Sequence, residues 1–232
     1  KENGMTDVSE LEQNIGIAFK NPDLLLTALT HRSYLNENPS WQFDHNERLE
    51  FLGDAVLELI VTEYLYATYP NPEGEMTNWR AALVNSVMLA KVAGKLDINK
   101  HLLLSRGEAK DTGRARQYIL ANAVEALIGA LYLDQGYGAA QQLVLRFVVD
   151  ELQGVLEGKS YRDPKSHLQE EAQERLGITP SYVVLEDWGP DHAKNFRVGV
   201  KLDDGLAGEG TGPSKQEAQQ AAAEDALAKK GW

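Results

Sequence analysis

Apolar residues recur at intervals of three and four from residue 8 to about 156, as in VSELEQNIGIAF, PDLLLTALTH, SVMLAKVAGKL and QQLVLRFVVDELQGVL. That spacing predicts an almost entirely helical stretch. Breakers divide it: Asn21-Pro22, the loop NENPSWQFD, Pro70-Asn71-Pro72 and the polar run SRGEAKDTGRAR. EGKSYRDP then interrupts the period, so the chain reads as a helical domain over 6–156, a linker over 157–162 and a second domain over 163–232. In the second domain PKSHLQEEAQERLG predicts a helix that stops at Gly177. SYVVLEDW and FRVGVKL read as strands joined by the turn-rich GPDHAKN, and LAGEGTG as a short third strand. PSKQEAQQAAAEDALAKK is an Ala-rich helix with Pro near its start. The order helix–strand–strand–strand–helix makes a small α+β domain.

Within the helical part, HNERLEFLGD (45–54) departs from simple amphipathicity. At about 100° per residue, Glu47, Glu50 and Asp54 share one face, while Leu49, Leu52, Val56 and Leu59 collect on the opposite one. Glu50 and Asp54 are a like-charge pair four apart, unfavourable by roughly 0.2–0.5 kcal/mol in an isolated helix. Either water screens this stripe or a cation belongs against it.

ILANAVEALIGALYL (119–133) raises the same question more sharply, since its only charge is Glu125. A carboxylate in such surroundings is costly to bury unless paired, protonated or bound to metal. Asn122 lies one turn back on the same face. An Asn–Glu pair facing a Glu–Glu–Asp stripe would form a pocket of oxygen ligands, suited to Mg²⁺ or Mn²⁺. The competing readings are a rim position for Glu125, or an ion pair with an arginine such as Arg48 or Arg80.

Composition narrows the chemistry. There are no cysteines, which excludes disulfides, zinc–thiolate sites and thiol nucleophiles and suits a reducing, cytoplasmic setting. No apolar run reaches the ~18 residues of a membrane helix, and KENGMTDVSE lacks the pattern of a secretory signal, so no membrane association is expected. The net charge of −12 argues against a nucleic-acid partner unless positive charge is supplied locally.

HNERLEFLGDAVLELIVTEYLY (45–66) resembles the signature helix of the ribonuclease III family. LLLTALTHRSY (24–34), GEMTNWRAALVNSVMLA (74–90) and ILANAVEALIGALYLD (119–134) match it further, in the expected order. The segment from DPKSHLQE to the Ala-rich helix resembles the double-stranded-RNA-binding domain of bacterial members. The resemblance implies an all-α N-terminal endonuclease domain followed by an α+β (αβββα) RNA-binding domain. It also implies a homodimeric, Mg²⁺-dependent endoribonuclease without a small-molecule cofactor, Mn²⁺ being a substitute. Such an enzyme cuts double-stranded RNA to 5′-phosphate and 3′-hydroxyl ends in RNA processing and maturation.

Carried over by position, Glu50, Asn122 and Glu125 match metal ligands. Asp54 and Glu125 match the catalytic acidic pair, and Glu47 the supporting acid at the head of the signature. Family members commonly carry Asp where this chain has Asn122, and an amide offers one neutral oxygen to a cation. Weaker metal affinity is expected, with a tolerated variant, an inactivating change and a binding-only homologue as the three readings. In the tail, the resemblance points to Ser166 and Gln169, then His192, then Ser214 and Lys215 as RNA-contacting positions. Eight Lys/Arg against thirteen Asp/Glu from 163 to 232 leave a net of −5, which predicts modest phosphate affinity.

Overall fold

The computed structural model describes residues 8–158, 163–190 and 194–232. The chain divides into two units, Lys1–Tyr161 and Arg162–Trp232. In the first, the described residues form α1 (Ser9–Ile15), α2 (Pro22–Leu29), α3 (Arg32–Glu37), α4 (Glu47–Thr68) and α5 (Glu73–Val84). They continue as α6 (Ser86–Lys95), α7 (Ile98–His101), α8 (Arg114–Gln135), α9 (Tyr137–Phe147) and α10 (Leu152–Gly158). The last of these carries helix two residues past 156, into the stretch assigned above to the linker; residues 159–162 lie outside the described ones.

The two 22-residue helices α4 and α8 form the axis of this unit. Leu57, Ile60, Val61 and Leu65 of α4 share one buried cluster with Val124, Leu127, Ile128 and Leu131 of α8. Each such side chain contributes about 1.5–3 kcal/mol when fully buried. Leu59, placed above on the buried face of α4, is 57% exposed. The helix carries apolar residues on two faces and only one of them meets the core.

The start of α4 is held by the chain that precedes it. Thr30 is fully buried and bridges Leu103, with the His31 N–H donating to the Leu103 carbonyl at 3.0 Å. The Thr30 carbonyl accepts from the Asn46 N–H at 2.9 Å, and its hydroxyl accepts from Trp41 Nε1 at 3.1 Å. Asn46 in turn donates to the Ala28 carbonyl at 3.2 Å. These bonds set the direction in which the signature helix leaves the loop.

The second unit contains α11 (Pro164–Leu176), β1 (Ser181–Trp188), β2 (Asn195–Leu202), β3 (Gly205–Gly212) and α12 (Lys215–Lys230). Its sheet is antiparallel in the order β1-β2-β3. The third strand is as long as the other two, not short. Its glycines lie under α12: a Cβ on Gly208 would stand 2.5 Å from the Ala226 nitrogen and 2.6 Å from the Ala222 carbonyl. The facing residues Ala218, Ala222, Ala223 and Ala226 are fully buried. Small residues on both surfaces bring helix and strand nearly into backbone contact, which accounts for an Ala-rich helix paired with a Gly-rich strand.

Candidate active site

The α4–α8 contact is built on glycine. A Cβ at Gly53 would overlap the Glu125 carbonyl oxygen and stand 2.9 Å from the Gly129 nitrogen. A Cβ at Gly129 would overlap the Leu49 carbonyl oxygen in return. Glu50 and Asp54 flank the first glycine, and Asn122 and Glu125 lie one to two turns before the second. The close approach therefore sets the two polar pairs against each other.

Electrostatics shows the coupling. Glu125 is half-buried and its pKa is pushed up to about 7, by burial first and then by the charges of Asp54 and Glu50. The Glu50 carboxyl is also raised, by burial first, then by Glu47 and Asp54, with a hydrogen bond from Asn122 acting the other way. Among the described residues no arginine or lysine pairs with Glu50, Asp54 or Glu125; Arg80 bonds the Thr62 hydroxyl at 2.9 Å. Glu47 is different: its carboxylate lies 3.3 Å from Arg32 Nη1 and 3.8 Å from His45 Nδ1. Among the described residues no three acidic or imidazole groups stand together closely enough to hold a metal ion by themselves. What the site offers is an open set of oxygen donors with uncompensated negative charge, the donor chemistry of hard cations.

In the second unit Asp163 caps α11, accepting from the Ser166 N–H at 2.9 Å, and Gln169 is exposed one turn further on. Ser214 caps α12, its hydroxyl accepting from the Glu217 N–H at 3.2 Å. The exposed Lys215 ammonium lies 5.7 Å from the Phe196 ring centre, and Lys194 approaches the same ring at 5.8 Å. Lys194 also pairs with Asp187 at 2.6 Å.

Both units match known families. A ribonuclease-III-like domain model matches residues 21–152, and a double-stranded RNA binding motif matches residues 164–230. The chain belongs to the ribonuclease III family. Proteins named Ribonuclease 3 from Pelotomaculum thermopropionicum and Natranaerobius thermophilus are 47% and 46% identical to it, over 94% and 96% of this chain and 91% and 96% of their own. The nuclease domain of ribonuclease III from Campylobacter jejuni, described for flexibility in a region involved in dimer formation, superposes with a TM-score of 0.56 at 40% identity. It covers 62% of this chain and 97% of that one.

Within this ribonuclease III fold, Glu50, Asp54, Asn122 and Glu125 come together, and Glu47 stands at their outer edge against Arg32. Ser166, Gln169, Ser214 and Lys215 lie at or near the starts of α11 and α12, while His192 falls outside the described residues. The Ser214 hydroxyl is engaged as a cap, so Lys215 is the freer group of that pair. Sequence reasoning missed Lys194, which shares Phe196 with Lys215, and the partnership of Arg32 with Glu47. It also passed over Gly53 and Gly129. A glycine inside a helix is disfavoured by about 1 kcal/mol against alanine, and two of them beside the acidic residues were a readable signal of close packing.

Proposed function

We propose that this ribonuclease III-family chain is a double-stranded-RNA endoribonuclease that uses a divalent ion, Mg²⁺ or Mn²⁺, held by Glu50, Asn122 and Glu125. The observation that carries this reading is the convergence across α4 and α8 of carboxylates with no cationic partner among the described residues, one of them raised to about 7. Held by these residues, a divalent ion would supply charge neutralisation and an activated water for in-line attack on phosphorus, the chemistry that gives 5′-phosphate and 3′-hydroxyl ends. Glu50 and Glu125 supply anionic oxygens and Asn122 a neutral one. Asp54, exposed at the mouth, would relay protons to and from solvent, while Glu125, raised to about 7 in the metal-free protein, would be held ionised by the bound cation. Glu47 supports the outer edge. The second domain holds the duplex, and its cations Lys194 and Lys215 counter part of the overall negative charge. No helix of the described residues is long and apolar enough to cross a membrane, and the cysteine-free composition suits a cytoplasmic RNA-processing enzyme.

The test is incubation with long double-stranded RNA in Mg²⁺, Mn²⁺ or EDTA, with cleavage to short 5′-phosphorylated duplexes expected only with metal. Asn122→Asp is expected to lower the Mg²⁺ concentration for half-maximal cleavage on the order of tenfold. An unchanged requirement would remove residue 122 from the ligand set. Cleavage that survives EDTA would overturn the metal reading.

The same proposal includes a homodimer. Phe51 is 82% exposed on α4 beside an apolar hollow of about 700 Å³ lined by Leu49, Leu52 and Leu133. With Leu59 and Tyr66, it gives α4 an apolar outer face of the kind that marks an interface. Phe51→Glu is expected to shift the solution mass from twice the 25.7 kDa chain to once, read by light scattering. A variant that keeps the doubled mass would count against this face.

A further inference from the structure

A polyanionic duplex has to approach an acidic stripe on a chain of net charge −12, so a cation is needed at the stripe itself. Arg32 stands there. Its Nη1 is 3.3 Å from Glu47 Oε1, and the two side chains are 70% and 46% exposed. A pair this open is weakly held and readily exchanged. Arg48, next but one from Glu50 along α4, is turned about 100° from Glu47 and, among the described residues, makes no ion pair with the stripe.

The backbone under Arg32 is anchored. It is the first residue of α3, directly after the Thr30–His31 segment whose bonds to Leu103, Trp41 and Asn46 also fix the start of α4. One frame therefore positions both the guanidinium and the carboxylate stripe. The guanidinium is a planar fork that binds phosphate oxygens two at a time. Glu47 engages the guanidinium through Nη1, and the 70% exposure of the Arg32 side chain leaves N–H surface open to solvent.

We propose that Arg32 is a phosphate-contacting residue of the nuclease domain, held against Glu47 in the free protein and passed to the RNA backbone when a duplex binds. This rests on the double-stranded-RNA reading above. It assigns Glu47 to positioning: the carboxylate keeps the guanidinium at the edge of the site rather than touching the reacting phosphate.

The experiment measures duplex-RNA affinity of the full chain in EDTA across a salt series, together with steady-state cleavage in Mg²⁺. Arg32→Ala is expected to lower the log–log salt slope by about one and weaken binding roughly three- to tenfold near physiological salt. The loss should appear in KM, with kcat little changed. Arg32→Lys should restore the slope, because the slope counts charge. Lys100→Ala serves as the charge-matched control, since Lys100 is likewise exposed and ion-paired, with Asp97 and Glu10, but outside the acidic stripe; its slope should match that of the unaltered chain. Thermal melting of each variant shows that it is folded. An Arg32→Ala variant with unchanged slope and affinity overturns the proposal, and so does an equal fall in slope for Lys100→Ala. A failure of the unaltered chain to bind the duplex at all would overturn the functional reading itself.

Discussion

Gly53→Ala is expected to lower the thermal midpoint by several degrees, up to roughly 8 °C, and to reduce cleavage about a hundredfold. The added Cβ would overlap the Glu125 carbonyl oxygen, a backbone atom that no rotamer change can move aside. Helix α4 must then ride up off α8. Overpacking of this kind costs about 1–3 kcal/mol, more than the ~1 kcal/mol that alanine gains over glycine in helix propensity. The same displacement separates Glu50 and Asp54 from Asn122 and Glu125, which is why activity should fall further than stability. Gly138→Ala is the matched control: it lies in α9 with nothing within 4 Å of its Cβ position and should be neutral or stabilising. Melting curves and initial cleavage rates on both variants decide the matter. A Gly53→Ala protein with the unaltered midpoint and rate would mean that the helices are not in this contact.

Glu125→Gln should move stability and activity in opposite directions. In the folded protein the Glu125 carboxyl is raised to about 7, mainly by burial and then by Asp54 and Glu50. Between its unfolded pKa of 4.5 and that value, the folded state holds more proton than the unfolded state. Stability of the metal-free protein therefore falls as pH rises through this window. Replacing the carboxylate with a neutral amide removes that penalty. After discounting for partial exposure, the gain at pH 8 is about 1–2 kcal/mol, and it should vanish at pH 4.5 or below. Cleavage should drop by at least about a hundredfold, because the site loses a ligand and a proton acceptor. Paired melts in EDTA at pH 5 and pH 8 test the sign. A variant that melts lower than the unaltered chain at pH 8 would show that Glu125 supports the fold rather than straining it.

These two residues mark how far the site was legible in the sequence. Glu47, Glu50 and Asp54 share a face by helical period alone, and Glu125 stands out as the single charge in an apolar helix. That Glu125 meets Glu50 and Asp54 was one of several readings of the pattern, favoured by the resemblance, because nothing local ties residue 125 to residue 54. The contact follows from Gly53 and Gly129, which let two backbones approach where side chains would hold them apart. Leu59 shows the opposite limit. Its place on the wheel predicted burial, yet a helix with two apolar faces cannot say which of them meets its own core.

The second unit repeats the contrast. Alternation and turn residues located its three strands, and Asp163, Gly177 and Ser214 are capping residues at the expected helix ends. The pairing of Lys194 with Lys215 around Phe196 had no such signal, since it joins the edge of a turn to the start of a distant helix.

The sequence by itself determined the order of elements, the break between a helical and an α+β part, the acidic stripe and the family. These depend on periodicity, caps and motif order, which act within a few residues. Only the tertiary structure decided which helix faces meet, that Glu125 is raised to about 7, that Arg32 lies against Glu47, and that Phe51 stays exposed. Those outcomes depend on how closely backbones pack and how much water is excluded, which are properties of the assembled helices rather than of any one segment.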